Sequence, residues 1–261
     1  MDFSPRPPEG AETPFRVRGG PDAVLLVHGF TSGPRSMRPW ADALVAAGLT
    51  VSLPLLPGHG TTWQDLARTR HTSWTRAVER EFDFLQRAHR NVFVFGLSMG
   101  GALALQLAAN RSVAGVVVAN PGLTFADPAA RFAGIIKYAV KSVAAIANDI
   151  ALEGADEGAY DRTPVAAVEQ LALLFRHTRR ALPRVWAPVL VYRSRVDHVV
   201  PDSSIEALLA GLAKRPPGAP PPTVRALEKS FHVATLDHDA VLMFEGSIAF
   251  VRSHTEGGSS A

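Results

Sequence analysis

Apolar residues arrive along this chain in two rhythms that alternate. Short continuous runs, Ala23-Val-Leu-Leu-Val27, Leu49 to Leu53, Asn91 to Leu97 and Val113 to Val118, have the pattern of strands buried on both faces. Between them, apolar positions recur every three or four residues: Met37, Trp40, Leu44 and Val45, then Trp74, Val78, Phe82 and Leu85. These predict helices packed by one face, the first spanning 36–47 and stopped by Gly48. An alanine- and leucine-rich stretch around Ala102 to Leu107 predicts a third. Strands and helices alternating in this way predict an α/β fold, a mostly parallel sheet with helices on both faces.

The rhythm breaks after Asn120-Pro121. Phe132, Ile135, Ile136, Ala139, Val140 and Val143 form one helical stripe, and Val168, Leu171, Ala172 and Phe175 form another. Two helices with no strand between them are expected there, a small lid inserted at 122–186 between core segments 1–121 and 187–254. Arg131, Lys137 and Lys141 lie off the first stripe, so it reads either as a helix packed on the core or as a basic amphipathic helix at a membrane surface. Ala187 to Tyr192 resumes the strand pattern, Ser203 to Leu212 reads as a helix, Thr223 to Leu227 as a last strand and Asp239 to Arg252 as a closing helix. Prolines crowd 214–222 too densely for helix or ladder hydrogen bonds, which predicts an irregular loop of no assigned function. Residues 255–261 read as a frayed tail.

Composition narrows the chemistry. A chain of 261 residues with 47% hydrophobic content can bury one full core. There is no cysteine, which excludes disulfides, thiol nucleophiles and Cys-based metal sites. The formal charge is only +3 and the arginines are scattered, so nucleic acid is not an expected partner. No apolar run has the length of a membrane span, so no stable membrane anchor is expected, and the first ten residues have an early acid and three prolines rather than a secretory core. A soluble, cytoplasmic protein is the expectation.

The most legible sentence in the chain is Gly96-Leu-Ser-Met-Gly100, set between an apolar strand and a helix. In that context G-x-S-x-G is a nucleophile elbow, which lifts a serine hydroxyl above the sheet on a strained turn. Side chains two positions either way would collide, and Gly96 and Gly100 remove them. Ser98 is thus the candidate nucleophile, at the N-terminus of a helix whose amides and dipole favour developing negative charge.

A serine needs a base within reach and a third group to orient that base. Of nine histidines, His28 and His59 sit in Gly-containing turns that suggest loop-shaping, and His71, His89 and His177 lie in or beside helices. His232 follows the last strand at the sheet edge where ligands gather, with His238 in reserve. Asp197, directly after the strand ending at Tyr192, is the candidate orienting acid; Asp202 competes, although capping the next helix explains it as well. For the oxyanion, the Met99 amide supplies one donor and the Phe30 amide, in His28-Gly-Phe-Thr-Ser-Gly33, supplies the other. Phe30 also reads as a wall of an acyl pocket.

With H-G-F-T, P-G-H-G, G-L-S-M-G-G, R-x-D-x-x-V-P around Asp197 and F-H-V-x-T-L-D around His232 in order, residues 20–252 resemble the α/β-hydrolase superfamily, and within it small bacterial carboxylesterases and monoacylglycerol lipases. The resemblance implies Ser98 as nucleophile, His232 as base then acid, Asp197 as orienter, and Phe30 and Met99 as oxyanion donors. It also implies a small-molecule ester substrate, a monoacyl chain seated between lid and sheet, and no cofactor or metal. Two alternatives stand beside it: another triad acyl hydrolase, such as a thioesterase or C–C hydrolase, which uses the same triad, and a non-catalytic ligand-binding protein on the same fold, which would be expected to lose a triad member or part of the oxyanion loop.

Overall fold

The computed structural model describes residues 7–8 and 10–255. The chain runs through β1 (Phe15–Val17), β2 (Asp22–Val27), a 3₁₀ turn (Pro34–Met37), α1 (Arg38–Ala46), β3 (Thr50–Leu53), α2 (Trp63–Arg68) and α3 (His71–Gln86). It continues through β4 (Asn91–Leu97), α4 (Met99–Ala108) and β5 (Gly115–Ala119). Next come α5 (Ala133–Ile136), β6 (Ser142–Ala144), β7 (Arg162–Pro164) and α6 (Val165–Ala181). The last elements are β8 (Val189–Ser194), α7 (Asp202–Leu212), β9 (Thr223–Leu227) and α8 (Ala240–Thr255).

Among the described residues, seven strands form one sheet in the order β1-β3-β2-β4-β5-β8-β9, with only β1 antiparallel to its neighbour. Both faces are covered, which is why the inner strands read as unbroken apolar runs. Leu25 and Val94 point into the core under α3, α4 and α6; Leu26 and Phe95 point to the other side, under α1 and α8. There Trp40 stacks on Phe95 with ring centroids 5.3 Å apart. The chain steps from β2 outward to β3 and then returns to place β4 on the opposite side of β2. That reversal opens a crevice beyond the carboxyl ends of β2 and β4, the position where open α/β sheets bind ligands. Val27 pairs with Gly96, so the loops that follow each strand emerge side by side.

Several expectations need correction. The expected helix 36–47 is a 3₁₀ turn followed by α1, because Pro34 and Pro39 punctuate its start. The first stripe in 122–186 is not one long helix: α5 ends at Ile136, and β6 pairs antiparallel with β7, so a strand pair lies where none was expected. The stripe does not pack on the core. Ile136, Val140 and Val143 line a cavity, while Phe132 and Ile135 are 55% and 74% exposed. A stripe without a continuous packing partner lacks the tertiary contacts that stabilise most protein helices. The second stripe does form a helix, α6, with Leu171, Leu174 and Phe175 buried. β1 and α2 were unexpected, although Thr62 caps α2 by accepting from the Asp65 N–H, a T-x-x-D signature visible in the sequence. Residues 214–222 are irregular and join α7 to β9. Of the tail 255–261, all but Thr255 lies outside the described residues. No helix among the described residues is long and apolar enough to cross a membrane.

Candidate active site

Ser98 sits between β4 and α4 with φ 54° and ψ −118°, a left-handed backbone that a serine adopts only under strain. Close packing holds it there. The Ser98 N–H donates to the Ala119 carbonyl at 3.0 Å, and the Gly122 N–H donates to the Ser98 carbonyl at 3.1 Å, tying the turn to the end of β5. A Cβ at Gly96 would lie 2.3 Å from Gly100 backbone atoms, and one at Gly100 would lie 1.9 Å from the Val27 carbonyl oxygen. Both glycines are therefore required by the contact between elbow and sheet.

His232 and Asp197 come together as the sequence suggested: His232 Nδ1 and Asp197 Oδ2 are 3.0 Å apart, across 35 residues of chain. The Asp197 carboxylate is fully buried. Its Oδ1 accepts from the Val199 and Val200 amides at 3.0 and 2.7 Å, and its Oδ2 also accepts from Arg193 at 2.7 Å. Burial pushes its pKa upward, but His232 and the two amides outweigh that and hold it below the usual carboxylate value. Asp202 is not a helix cap. Pro201 holds that position, and the Asp202 side chain is exposed and paired with Arg193 at 2.9 Å. His238 is exposed and lies outside the cavity that holds Ser98 and His232.

The loop after β2 carries Phe30 beside Ser98. His28 anchors it from below: fully buried, its Nδ1 contacts the Gly29 carbonyl at 2.9 Å and its Nε2 accepts from the Leu56 N–H at 3.0 Å. Burial pushes the His28 pKa down to about 4. His59 packs edge-on at 4.8 Å between centroids, and its pKa lies well below the ordinary value through burial and the neighbouring His28. Loop-shaping is what these two side chains do. Thr31, at φ 65°, donates its hydroxyl to the Phe30 carbonyl at 2.6 Å, which fixes the orientation of the next peptide. The Met99 side chain is buried in the core, so only its backbone is placed to serve chemistry; its N–H opens α4, where helix amides lack intrahelical acceptors.

Ser98, Phe30 and His232 line one cavity of 520 Å³. Much of its lining comes from 122–186 and is largely apolar, with Phe125, Ile136 and Val143 beside Val168, Leu171 and Phe175 from α6. Three residues that sequence reasoning missed complete the site. Buried Asn120, at φ 43°, donates to the Ser194 hydroxyl at 2.9 Å and to the His232 carbonyl at 2.8 Å. Asp149 accepts from the His232 N–H at 3.2 Å, and Glu157 lies buried in the wall with its carboxylate accepting from the Asn148 N–H at 2.8 Å. Burial raises the Glu157 pKa against that bond and against the nearby His232. None of the three stands in a motif, and only tertiary packing brings them here. Among the described residues, no group of three metal-ligating side chains is arranged to hold a metal ion.

A strained serine elbow, a buried Asp-His pair and a switch-point cavity occur here together on one sheet edge. The sequence profile of the alpha/beta hydrolase family matches residues 24–251. The chain belongs to the α/β hydrolase family. This α/β hydrolase is 39% identical over 249 residues to the thermostable monoacylglycerol lipase of Bacillus sp. (strain H-257), covering 94% of this chain and 96% of that one. It is 25% identical over 241 residues to a carboxylesterase of Bacillus subtilis (strain 168), covering 91% and 95% of the two chains. A solved structure from the work on LipS and LipT, two metagenome-derived lipolytic enzymes, superposes with a TM-score of 0.88 at 36% identity, covering 94% of this α/β hydrolase and 99% of that chain.

Proposed function

We propose that this α/β hydrolase is a serine esterase of the carboxylesterase or monoacylglycerol lipase type, acting on monoacyl esters through an acyl-serine intermediate. The observation that carries the reading is the one cavity that Ser98 and His232 line together with a largely apolar wall. His232 presents Nδ1 to Asp197 at 3.0 Å, which leaves Nε2 for the Ser98 hydroxyl. Ser98 Oγ attacks the acyl carbonyl carbon while His232 takes its proton. The carbonyl oxygen becomes an oxyanion, received by the Phe30 and Met99 amides. Collapse of this intermediate expels the alcohol, protonated by His232. Water then adds to the acyl-serine by the same route, releasing the acid.

Residues 122–186 act as a lid in this reading. The acyl chain lies against Ile136, Val143, Leu171 and Phe175, where transfer from water contributes roughly 0.8 kcal/mol per buried methylene. Glu157, a cavity-lining carboxylate close enough to His232 to interact electrostatically, serves a hydroxylated leaving group. The relatives named for monoacylglycerol and carboxylic ester hydrolysis support the substrate class.

Incubation with a fluorophosphonate and mass mapping of the adduct tests the mechanism. The adduct is expected on Ser98, with turnover lost in Ser98→Ala and the fold retained. Full turnover in that variant refutes the assignment. A panel of monoacylglycerols, p-nitrophenyl esters of increasing chain length and acyl-CoAs then tests the substrate reading, with monoacylglycerols and medium to long acyl esters expected to give the highest kcat/KM. Preference for acyl-CoA overturns it in favour of a thioesterase.

A further inference from the structure

His232 lies in a stretch, 228–233, that belongs to neither helix nor strand. Its peptide groups have no ladder to satisfy them, so other groups must do so. The partners are specific. Asn120 donates to the His232 carbonyl at 2.8 Å, and the His232 N–H donates to Asp149 Oδ2 at 3.2 Å. Asp149 comes from the segment between β6 and β7, far from the core strands in sequence. The same Oδ2 accepts from the His198 N–H at 3.1 Å, next to Asp197, and Oδ1 meets His198 Nδ1 at 2.6 Å. The Val233 N–H donates to the Asp149 carbonyl at 3.1 Å. The contact is reciprocal: Asp237, fully buried, accepts from Ala151, Leu152 and Phe231 N–H groups at 2.8, 3.0 and 2.8 Å.

We propose that Asp149 is a positioning residue for His232, through which the lid segment holds the catalytic base and the loop of its acid in register. The proposal rests on the assignment of Ser98, Asp197 and His232 above. One carboxylate spans the two loops that meet in the Asp197–His232 bond: it accepts the backbone N–H of His232 and that of the residue following Asp197. Asp197 orients the imidazole and Asn120 holds the carbonyl side of the His232 backbone, so Asp149 completes a three-point mount. Without it, the base retains its partner but loses the fixed origin from which its ring reaches Ser98. Misplacement by about 1 Å costs about 10²-fold in rate. A lid that carried only acyl-chain contacts would need no such bond.

The test uses steady-state kinetics of the full chain on p-nitrophenyl acetate, whose acyl group carries no alkyl chain for the lid wall to hold, and on a long-chain p-nitrophenyl ester. Asp149→Ala is expected to lower kcat about 10- to 100-fold on both substrates, with the acetate KM held within about 3-fold. Asp149→Asn recovers most of the loss, because an amide oxygen accepts the same N–H groups. Asp149→Glu does not, because the added methylene displaces the oxygens. An acetate kcat for Asp149→Ala within about 2-fold of the parent overturns the proposal, as does a loss that grows with acyl length through KM. Should the alanine variant fail to fold, equal kcat values for the Asn and Glu variants overturn it. Fluorophosphonate labelling of the parent separates the two levels. A Ser98 adduct with an unimpaired Asp149→Ala variant removes only the role of Asp149, whereas absence of that adduct overturns both.

Discussion

Replacing His28 by glutamine probes the buried histidine pair beneath the loop that carries Phe30. The His28 ring has no exposed surface, and its Nε2 is the acceptor for the Leu56 N–H at 3.0 Å. Protonation would set two donors against each other and place a charge in the core. Burial accordingly holds the pKa at about 4, against the ordinary 6.5. As pH falls through 6.5, the unfolded chain takes up a proton that the folded chain refuses until about 4. Stability is thus fully present above the unfolded value and is lost through this window. The gap corresponds to about 3 kcal/mol in full, of which about 2 kcal/mol is lost by about pH 5. Against a typical total of about 5–15 kcal/mol, that is a substantial fraction.

In His28→Gln the side-chain oxygen can still accept from Leu56, while the contact with the Gly29 carbonyl is lost, at a cost of about 1 kcal/mol at neutral pH. Urea unfolding at about pH 7.5 and about pH 5 measures the difference. The parent is expected to lose about 2 kcal/mol more than the variant between the two. His59 remains in both chains and titrates more easily once its neighbour is gone, which makes the variant's curve flatter still. Equal losses in the two chains would refute the reasoning, because the buried imidazole would then have no part in the acid sensitivity.

Two further substitutions test the geometry of the site. Asp197→Asn keeps a polar contact to His232 Nδ1 but removes the charge that stabilises the imidazolium; kcat is expected to fall about 10⁴-fold with the far-UV spectrum unchanged, and a loss below about 10-fold would refute the role of Asp197. Gly100→Ala places a methyl group 1.9 Å from the Val27 carbonyl oxygen, and thermal and urea unfolding are expected to show destabilisation by about 1–3 kcal/mol or more; unchanged stability would refute the close contact between elbow and sheet.

The alternating sheet and the elbow were legible because both are written in consecutive residues. Val24, Leu25 and Leu26, like Phe93, Val94 and Phe95, are apolar without interruption since helices cover each face of the sheet. Gly96 and Gly100 are spaced by the turn itself. His232 and Asp197 could be ranked above their competitors because both follow strands, and the structure places them 3.0 Å apart. Asp202 was misread, since a carboxylate before a helix looks the same whether it caps the amides or, as here, pairs with Arg193. The stripe from Phe132 to Val143 was misread for a related reason. Its apolar residues divide between cavity and solvent, and no periodicity records which surface a side chain will find.

The sequence alone determined most of the alternating strands and helices of the core sheet, the strained serine and the residues that accompany it along the chain. Each of these follows from constraints between neighbours: pleat, helical turn, and the space that a glycine leaves. Tertiary structure alone decided the cavity wall, the β6–β7 pair and the mount of His232 on Asn120 and Asp149. Those residues stand singly in the sequence, and their hydrogen bonds join segments 112 and 83 positions apart. A bond of that kind exists only after the sheet has closed and brought the loops to one edge, so its partners leave no local pattern to read.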